Sequence, residues 1–201
     1  MCPWCYVGKK HLEKAIAITS ELDVEVHWRP FQLDATLPAL GKDRQQYLLD
    51  KFGDDKASDM YQQLVEKGKD CAIDFRFDLI KKSPNTMNAH RLLKWAGDEN
   101  SALQNALVEI LFELYFVKGK NIGEPDVLTK AANDAGLNLP DIKEKLAGDT
   151  DVDAISETIA QAQKMGVTGV PCFIVELKHG IAGAHPPDAI AQTLRQVAAT
   201  K

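Results

Sequence analysis

The chain has 201 residues and a formal net charge of −5. That length suits one ample core or two small ones, and the charge gives no sign of the basic face that marks nucleic-acid binding. No apolar run is long enough to span a bilayer, and four cysteines, Cys2, Cys5, Cys71 and Cys172, are too few for a disulfide-stapled scaffold.

Residues from Pro3 to about Thr19 read as a helix, with Leu12, Ala15, Ile16 and Thr19 at helical spacing. Pro3 suits the first turn, where a missing N–H costs nothing, which puts Cys2 at the N-cap or next to it. In "DVEVHWRPF", Val24, Val26 and Trp28 alternate with Glu25, His27 and Arg29. That is a strand pattern with one apolar and one polar face, ended by Pro30 and leaving His27 in solvent.

From about residue 35 to 150 the chain reads as almost entirely helical, interrupted only by the extended "CAIDFRFD". "LVEILFELYFV" is apolar nearly all round and is expected to be the spine of this block. A further helix covers about Asp151 to Met165. "TGVPCFIVEL" then reads as a strand buried on both faces, "KHG" as a turn, "IAGAH" as a returning strand, and Pro186 and Pro187 open a last helix to about Ala198. A helical block thus splits a small α/β unit in two. The division expected is 1–34 plus 151–201 against 35–150.

The chemistry centres on Cys-Pro-Trp-Cys. A cysteine at a helix N-terminus faces unpaired N–H groups and the positive end of the dipole, and both favour the thiolate. Cys5 lies almost one turn on, so its sulfur can reach that of Cys2, and it sits deeper. An attacking and a resolving thiol follow, with substrate held as a mixed disulfide on Cys2. Half a zinc site is the rival reading, but zinc needs four ligands and no second close Cys or His pair appears, His11 being poorly placed. No metal is expected. Pro171 either opens a strand in trans or carries a cis bond, and local sequence leaves both open. Cys71 and Cys172 are read as plain buried or partly buried cysteines.

Taken together, Cys-Pro-Trp-Cys-Tyr-Val-Gly, "WRPFQL", "PNTMNAHRLLKWA" and "GVTGVPCFIV" resemble the DsbA-like thioredoxin superfamily over essentially the whole chain. The FrnE-type branch, related to 2-hydroxychromene-2-carboxylate isomerase and kappa-class glutathione transferase, is the nearest match. The resemblance implies an α/β, thioredoxin-like fold interrupted by a large all-helical insertion. It implies Cys2 as nucleophile, Cys5 as resolving thiol and a cis Pro171. The main chain of Val170 would then lie beside the sulfurs and pair with an extended substrate.

Two departures from the family pattern carry weight. The isomerase and transferase relatives have Ser where this chain has Cys2, which favours dithiol redox chemistry here. Trp4 stands where strongly oxidising DsbA members have His, so a less oxidising couple than DsbA's, at about −120 mV, is expected. The family's first, central strand is missing ahead of the motif. Met1 is therefore expected to be internal to a longer natural chain, or a partner to fill the gap, with a hole between the two halves of the sheet.

Trp4, Phe31 and Tyr6 are candidates for an apolar rim, Tyr6 having core as its alternative. In glutathione-binding relatives a segment like 85–91 lies over the active site, which makes Asn85 and His90 candidates for substrate contact. The alternative is that Ser83 or Asn85 caps a helix and Arg91 pairs on its surface. The expected activity is thiol–disulfide exchange or isomerisation on a disulfide- or thiol-containing protein or small molecule. Glutathione-dependent isomerisation or transfer, and non-catalytic chaperone-like peptide binding, are the rivals. No resident cofactor is expected, glutathione being compatible as reductant or co-substrate. Nucleic acid and membrane are not expected partners, and a homodimer is compatible. The absence of a visible signal segment suggests a cytoplasmic location.

Overall fold

A computed structural model describes residues 1–53 and 56–200, the side chains of 56–60 excepted. Helix α1, Pro3–Ile18, starts with Cys2 as an extended N-cap and Pro3 in its first turn. Helix α9, Pro187–Ala198, packs along it. Ala15, Ile190, Ala191 and Leu194 form the buried centre of that contact, closed by Leu12, Leu22, Val24, Phe173 and Val175.

Strands β3, Cys172–Val175, and β4, His179–Ala182, form the antiparallel hairpin expected from the sequence, with Cys172 opposite Ala182. Its turn lies earlier than "KHG": Glu176 and Leu177 take φ of 53° and 57°, and Lys178 N–H donates to the Val175 carbonyl at 3.1 Å. The apolar run does not make β3 buried on both faces. Phe173 and Val175 pack on the α1–α9 cluster, whereas Ile174, pointing the other way, is 40 % exposed.

The strand expected at 23–31 is not a strand. Its alternation is real, since Val24, Val26 and Trp28 are half-buried and Glu25, His27 and Arg29 exposed. Among the described residues, however, the segment joins no ladder, and β3 pairs only with β4. Alternation decides which way side chains point, whereas a strand also needs a neighbour at hydrogen-bonding distance. The two segments flank the same cluster without hydrogen-bonding to each other.

Between these parts lie β1, Lys42–Asp43, and α2, Arg44–Phe52. Then come α3, Lys56–Asp70, a 3-10 turn at Phe77–Leu79, and β2, Lys82–Ser83, which pairs antiparallel with β1. The helices α4, Met87–Glu99, α5, Ser101–Phe116, α6, Pro125–Ala135, α7, Ile142–Ala147, and α8, Val152–Lys164, complete the block. As its apolar circumference requires, α5 is the spine: Leu107, Val108, Leu111, Phe112, Tyr115 and Phe116 are all buried. Tyr6 stacks on Phe112 at 5.0 Å between ring centres, so it belongs to the core and not to the rim. Each such ring is worth roughly 1.5–3 kcal/mol of burial. Tyr6 and Val7 thus tie α1 to the helical block.

Arg91 does not pair on the helix surface, as one of the two readings had it. It is 1 % exposed, and its guanidinium donates to the carbonyls of Thr150, Leu146 and Lys145 and to Asn88 Oδ1. The fork satisfies the open carbonyl end of α7, which otherwise has no intrahelical donors.

Candidate active site

The N-terminus of α1 carries the two sulfurs. Cys2 makes no side-chain cap bond; its Sγ, as a thiol, donates to the Val170 carbonyl at 3.5 Å. Cys5 N–H donates to the Cys2 carbonyl at 3.1 Å, closing the first turn. Both cysteines are half-buried and free.

Their acidities separate. The Cys5 thiol, donating to Cys2 Sγ, is the largest influence lowering Cys2 to about 7. Burial opposes it, and the N–H groups of Cys5 and Trp4 add to it. The same hydrogen bond, then burial, then the Cys2 charge hold Cys5 well above 9.0. Near pH 7 Cys2 is therefore about half ionised, while Cys5 remains a thiol.

The Val170–Pro171 bond is cis, as the resemblance implies. Gly8 lets the loop come close: a Cβ there would stand 3.0 Å from Pro171 Cγ and 3.3 Å from Phe173 Cζ. Cys172 is half-buried, and burial pushes its thiol up. Cys71 is fully buried, and its thiol is pushed up for the same reason.

Trp4 is half-buried against the core and lines an open cleft of about 490 Å³ with Gln62, Gln63, Glu66 and Lys67 of α3. Phe31 is half-buried, and its carbonyl meets His90 Nε2 at 3.2 Å. Burial lowers His90 to about 4, so its ring is neutral at pH 7. Asn85 works within the fold. Its Nδ2 donates to the Leu37 carbonyl at 2.7 Å, and its Oδ1 accepts from Met87 N–H at the start of α4 and from Gln32. His27 is exposed beside Glu25, and His11 Nδ1 lies 2.8 Å from the His185 carbonyl.

Sequence reasoning did not anticipate the α3 wall of the cleft beside Trp4. Gln62 and Gln63 sit in an ordinary amphipathic helix, and nothing in their spacing marks them. It also missed a charge cluster on α1 behind the motif, where the buried Lys9 and the half-buried Lys10 both meet Glu109, at 2.8 and 2.7 Å. Burial pushes the Glu109 carboxyl up, but Lys10, Lys9 and the Tyr6 hydroxyl outweigh it and hold it low.

Among the described residues no helix is long and apolar enough to cross a membrane. The chain is 29 % identical over 178 residues to the uncharacterised protein YwbO of Bacillus subtilis (strain 168), covering 87 % of this chain and 82 % of that one. A structure of a probable DsbA oxidoreductase, SCO1869 of Streptomyces coelicolor, superposes with a TM-score of 0.88 at 27 % identity, over 100 % of this chain and 87 % of that one. A 2-hydroxychromene-2-carboxylate isomerase superposes with a TM-score of 0.72 at 15 % identity, over 100 % of this chain and 95 % of the other, which is a likeness of fold. The model of the DSBA-like thioredoxin domain matches residues 1–195, with the two cysteines and the cis Pro171 inside it, and the chain belongs to that family.

Proposed function

We propose that the protein is a thiol–disulfide oxidoreductase or isomerase acting on a disulfide- or thiol-containing protein or small molecule through Cys2 and Cys5. The Cys2 thiolate attacks one sulfur of a substrate disulfide. A Cys2–substrate disulfide forms and the other substrate sulfur leaves as a thiolate, taking a proton from solvent. Cys5 then loses its proton and attacks Cys2 Sγ. A Cys2–Cys5 disulfide forms, and the second substrate thiol is released. Substrate gains two electrons and the pair loses two, and the reverse sequence oxidises a dithiol.

The opposed acidities of the two sulfurs carry this reading. While Cys2 is ionised, its charge and the hydrogen bond keep Cys5 protonated and idle. Once Cys2 is capped by substrate, both restraints vanish and Cys5 becomes the easier proton donor to solvent. Resolution is thus switched on by capture. The Val170 carbonyl, 3.5 Å from Cys2 Sγ, suits an extended substrate pairing along that edge.

The test is trapping. Cys5→Ser, mixed with a substrate disulfide, accumulates a mixed disulfide on Cys2 that mass spectrometry locates. Cys2→Ser forms none and loses insulin reduction. A Cys5→Ser protein that captures nothing on Cys2 overturns the assignment.

A further inference from the structure

We infer that Glu109 is a positioning residue for the dithiol: from α5 it fixes where α1 lies against the cis-proline loop, and so where Cys2 Sγ stands relative to the Val170 carbonyl. The inference rests on the dithiol reading and adds what keeps its two halves in register, since the sulfurs belong to one segment and Val170 to another.

Among the described residues, the partners of Glu109 lie on α1. Its Oε1 accepts from the Tyr6 hydroxyl at 2.8 Å and meets Lys10 Nζ at 2.7 Å, and its Oε2 meets Lys9 Nζ at 2.8 Å. Glu13, also on α1, pairs with both lysines and closes the cluster. The buried Leu107, Val108, Leu111 and Phe112 seat α5, so a fixed element presents the carboxylate. Apolar contacts of α1, such as Tyr6 on Phe112, have no preferred direction and tolerate sliding. Charge-assisted hydrogen bonds to one carboxylate are directional, and set both the rotation of α1 about its axis and its place along it. Lys9 enforces the arrangement. Its side chain is 3 % exposed, and away from Glu109 it would keep a charge out of water with Glu13 alone.

The second observation is where this grip falls on the helix. Lys9, Lys10 and Glu13 follow Tyr6 by three, four and seven residues and share its face. Gly8 lies about 150° round from the middle of that face, at about 3.6 residues per turn. There α1 meets the loop, an added Cβ standing 3.0 Å from Pro171 Cγ. The helix is thus held between Glu109 on one side and Pro171 on the other. The donors that acidify Cys2, which are the Cys5 thiol and the N–H groups of Cys5 and Trp4, belong to α1 and travel with it. Loss of the grip therefore displaces the nucleophile from Val170 without changing its acidity.

The test compares two disulfides with the same leaving group: a short extended peptide whose Cys is bound to 2-mercaptoethanol, and 2-hydroxyethyl disulfide. Each oxidises the reduced full chain to the Cys2–Cys5 disulfide and is itself reduced to two thiols. The readout is the peptide rate divided by the small-disulfide rate, because only the peptide reaches along the Val170 edge. In Glu109→Gln, which keeps the shape and loses the charge, this ratio is expected to fall on the order of tenfold, as misplacement of reacting groups does. Tyr6→Phe keeps the ring on Phe112 and gives up only the hydroxyl. It lowers the ratio by less, and serves if the Glu109 variant does not fold. Gly8→Ala shifts the same helix from the other side, so with Glu109→Gln it lowers the ratio by less than the product of the two single falls. Alkylation of Cys2 by iodoacetamide keeps its midpoint near 7 in Glu109→Gln and Tyr6→Phe. Three results overturn the positioning role and leave the dithiol chemistry standing: a ratio that neither variant moves, effects of Glu109→Gln and Gly8→Ala that multiply as independent changes, or a Cys2 midpoint that shifts with the ratio. A native protein that neither disulfide oxidises overturns the dithiol reading, and this inference with it.

Discussion

The side-chain amide of Gln104 bonds both backbone groups of Trp28: Oε1 accepts from the Trp28 N–H at 2.8 Å, and Nε2 donates to the Trp28 carbonyl at 3.1 Å. A glutamine on α5 thus does for one residue what a neighbouring strand does for many. Its Nε2 also donates to the Leu93 carbonyl at 3.0 Å, and Gly97 makes room, since a Cβ there would lie 2.5 Å from that nitrogen. Gln104→Leu orphans these three groups at a site that is 5 % exposed. The expected loss is about 3 kcal/mol, read from urea unfolding, and a Tm lower by about 10 °C.

Cys5→Ala removes the largest influence on Cys2. The Cys2 thiolate then loses its donor, and its pKa rises from about 7 toward the ordinary thiol value. Alkylation by iodoacetamide against pH reads this directly: half-maximal near 7 in the native protein, about one unit or more higher in the variant. Cys5 in the native protein stays unreactive over the same range.

The same acidity bears on the potential of the couple. A nucleophile near 7 is close to the value of about 7 known for thioredoxin and far from the ~3.5 of DsbA. A more stable thiolate favours the reduced form and so makes the disulfide more oxidising. Equilibration with glutathione is expected to place the couple well below −120 mV, nearer the roughly −270 mV of thioredoxin.

Arg91→Lys keeps the charge but not the fork. An ammonium cannot serve the carbonyls of Lys145, Leu146 and Thr150 together with Asn88, and it leaves the Trp95 ring, 5.3 Å from the guanidinium. The expected cost is about 2–4 kcal/mol. Limited proteolysis locates it, with cleavage appearing first between residues 145 and 151, where the fork binds.

His90 makes stability depend on acid. Its folded pKa of about 4 lies below the unbound 6.5, so between those values the unfolded chain binds a proton that the folded one does not. Its contribution is therefore intact above pH 6.5, shrinks as pH falls toward 4, and changes no further below that. Urea midpoints across this window are expected to fall less steeply in His90→Gln.

What the sequence made legible was local. Pro3 beside Cys2 announced the helix start, and the unbroken apolar run of α5 announced its place at the centre. The alternation at 24–28 told which side chains turn inward, yet ladder pairing needs a partner that the pattern does not name. Arg91 and Gln104 were opaque for a related reason. Their partners are main-chain atoms, carbonyls 54–59 residues from Arg91 and the amide and carbonyl of Trp28, 76 residues from Gln104, and every residue type carries those atoms. Glu176 and Leu177 hid the hairpin turn because neither is a residue that favours positive φ. Of the site, the sulfurs and Pro171 were readable as a motif, whereas the cleft beside Trp4 exists only once α3 is folded against α1.

At Gly8 the helix bearing the sulfurs touches the proline ring with no side chain interposed. Close packing there leaves the loop little room to shift against the helix, which holds Cys2 Sγ and the Val170 carbonyl at 3.5 Å. That spacing depends on a hydrogen atom where any other residue would place a β-carbon 3.0 Å from the proline ring.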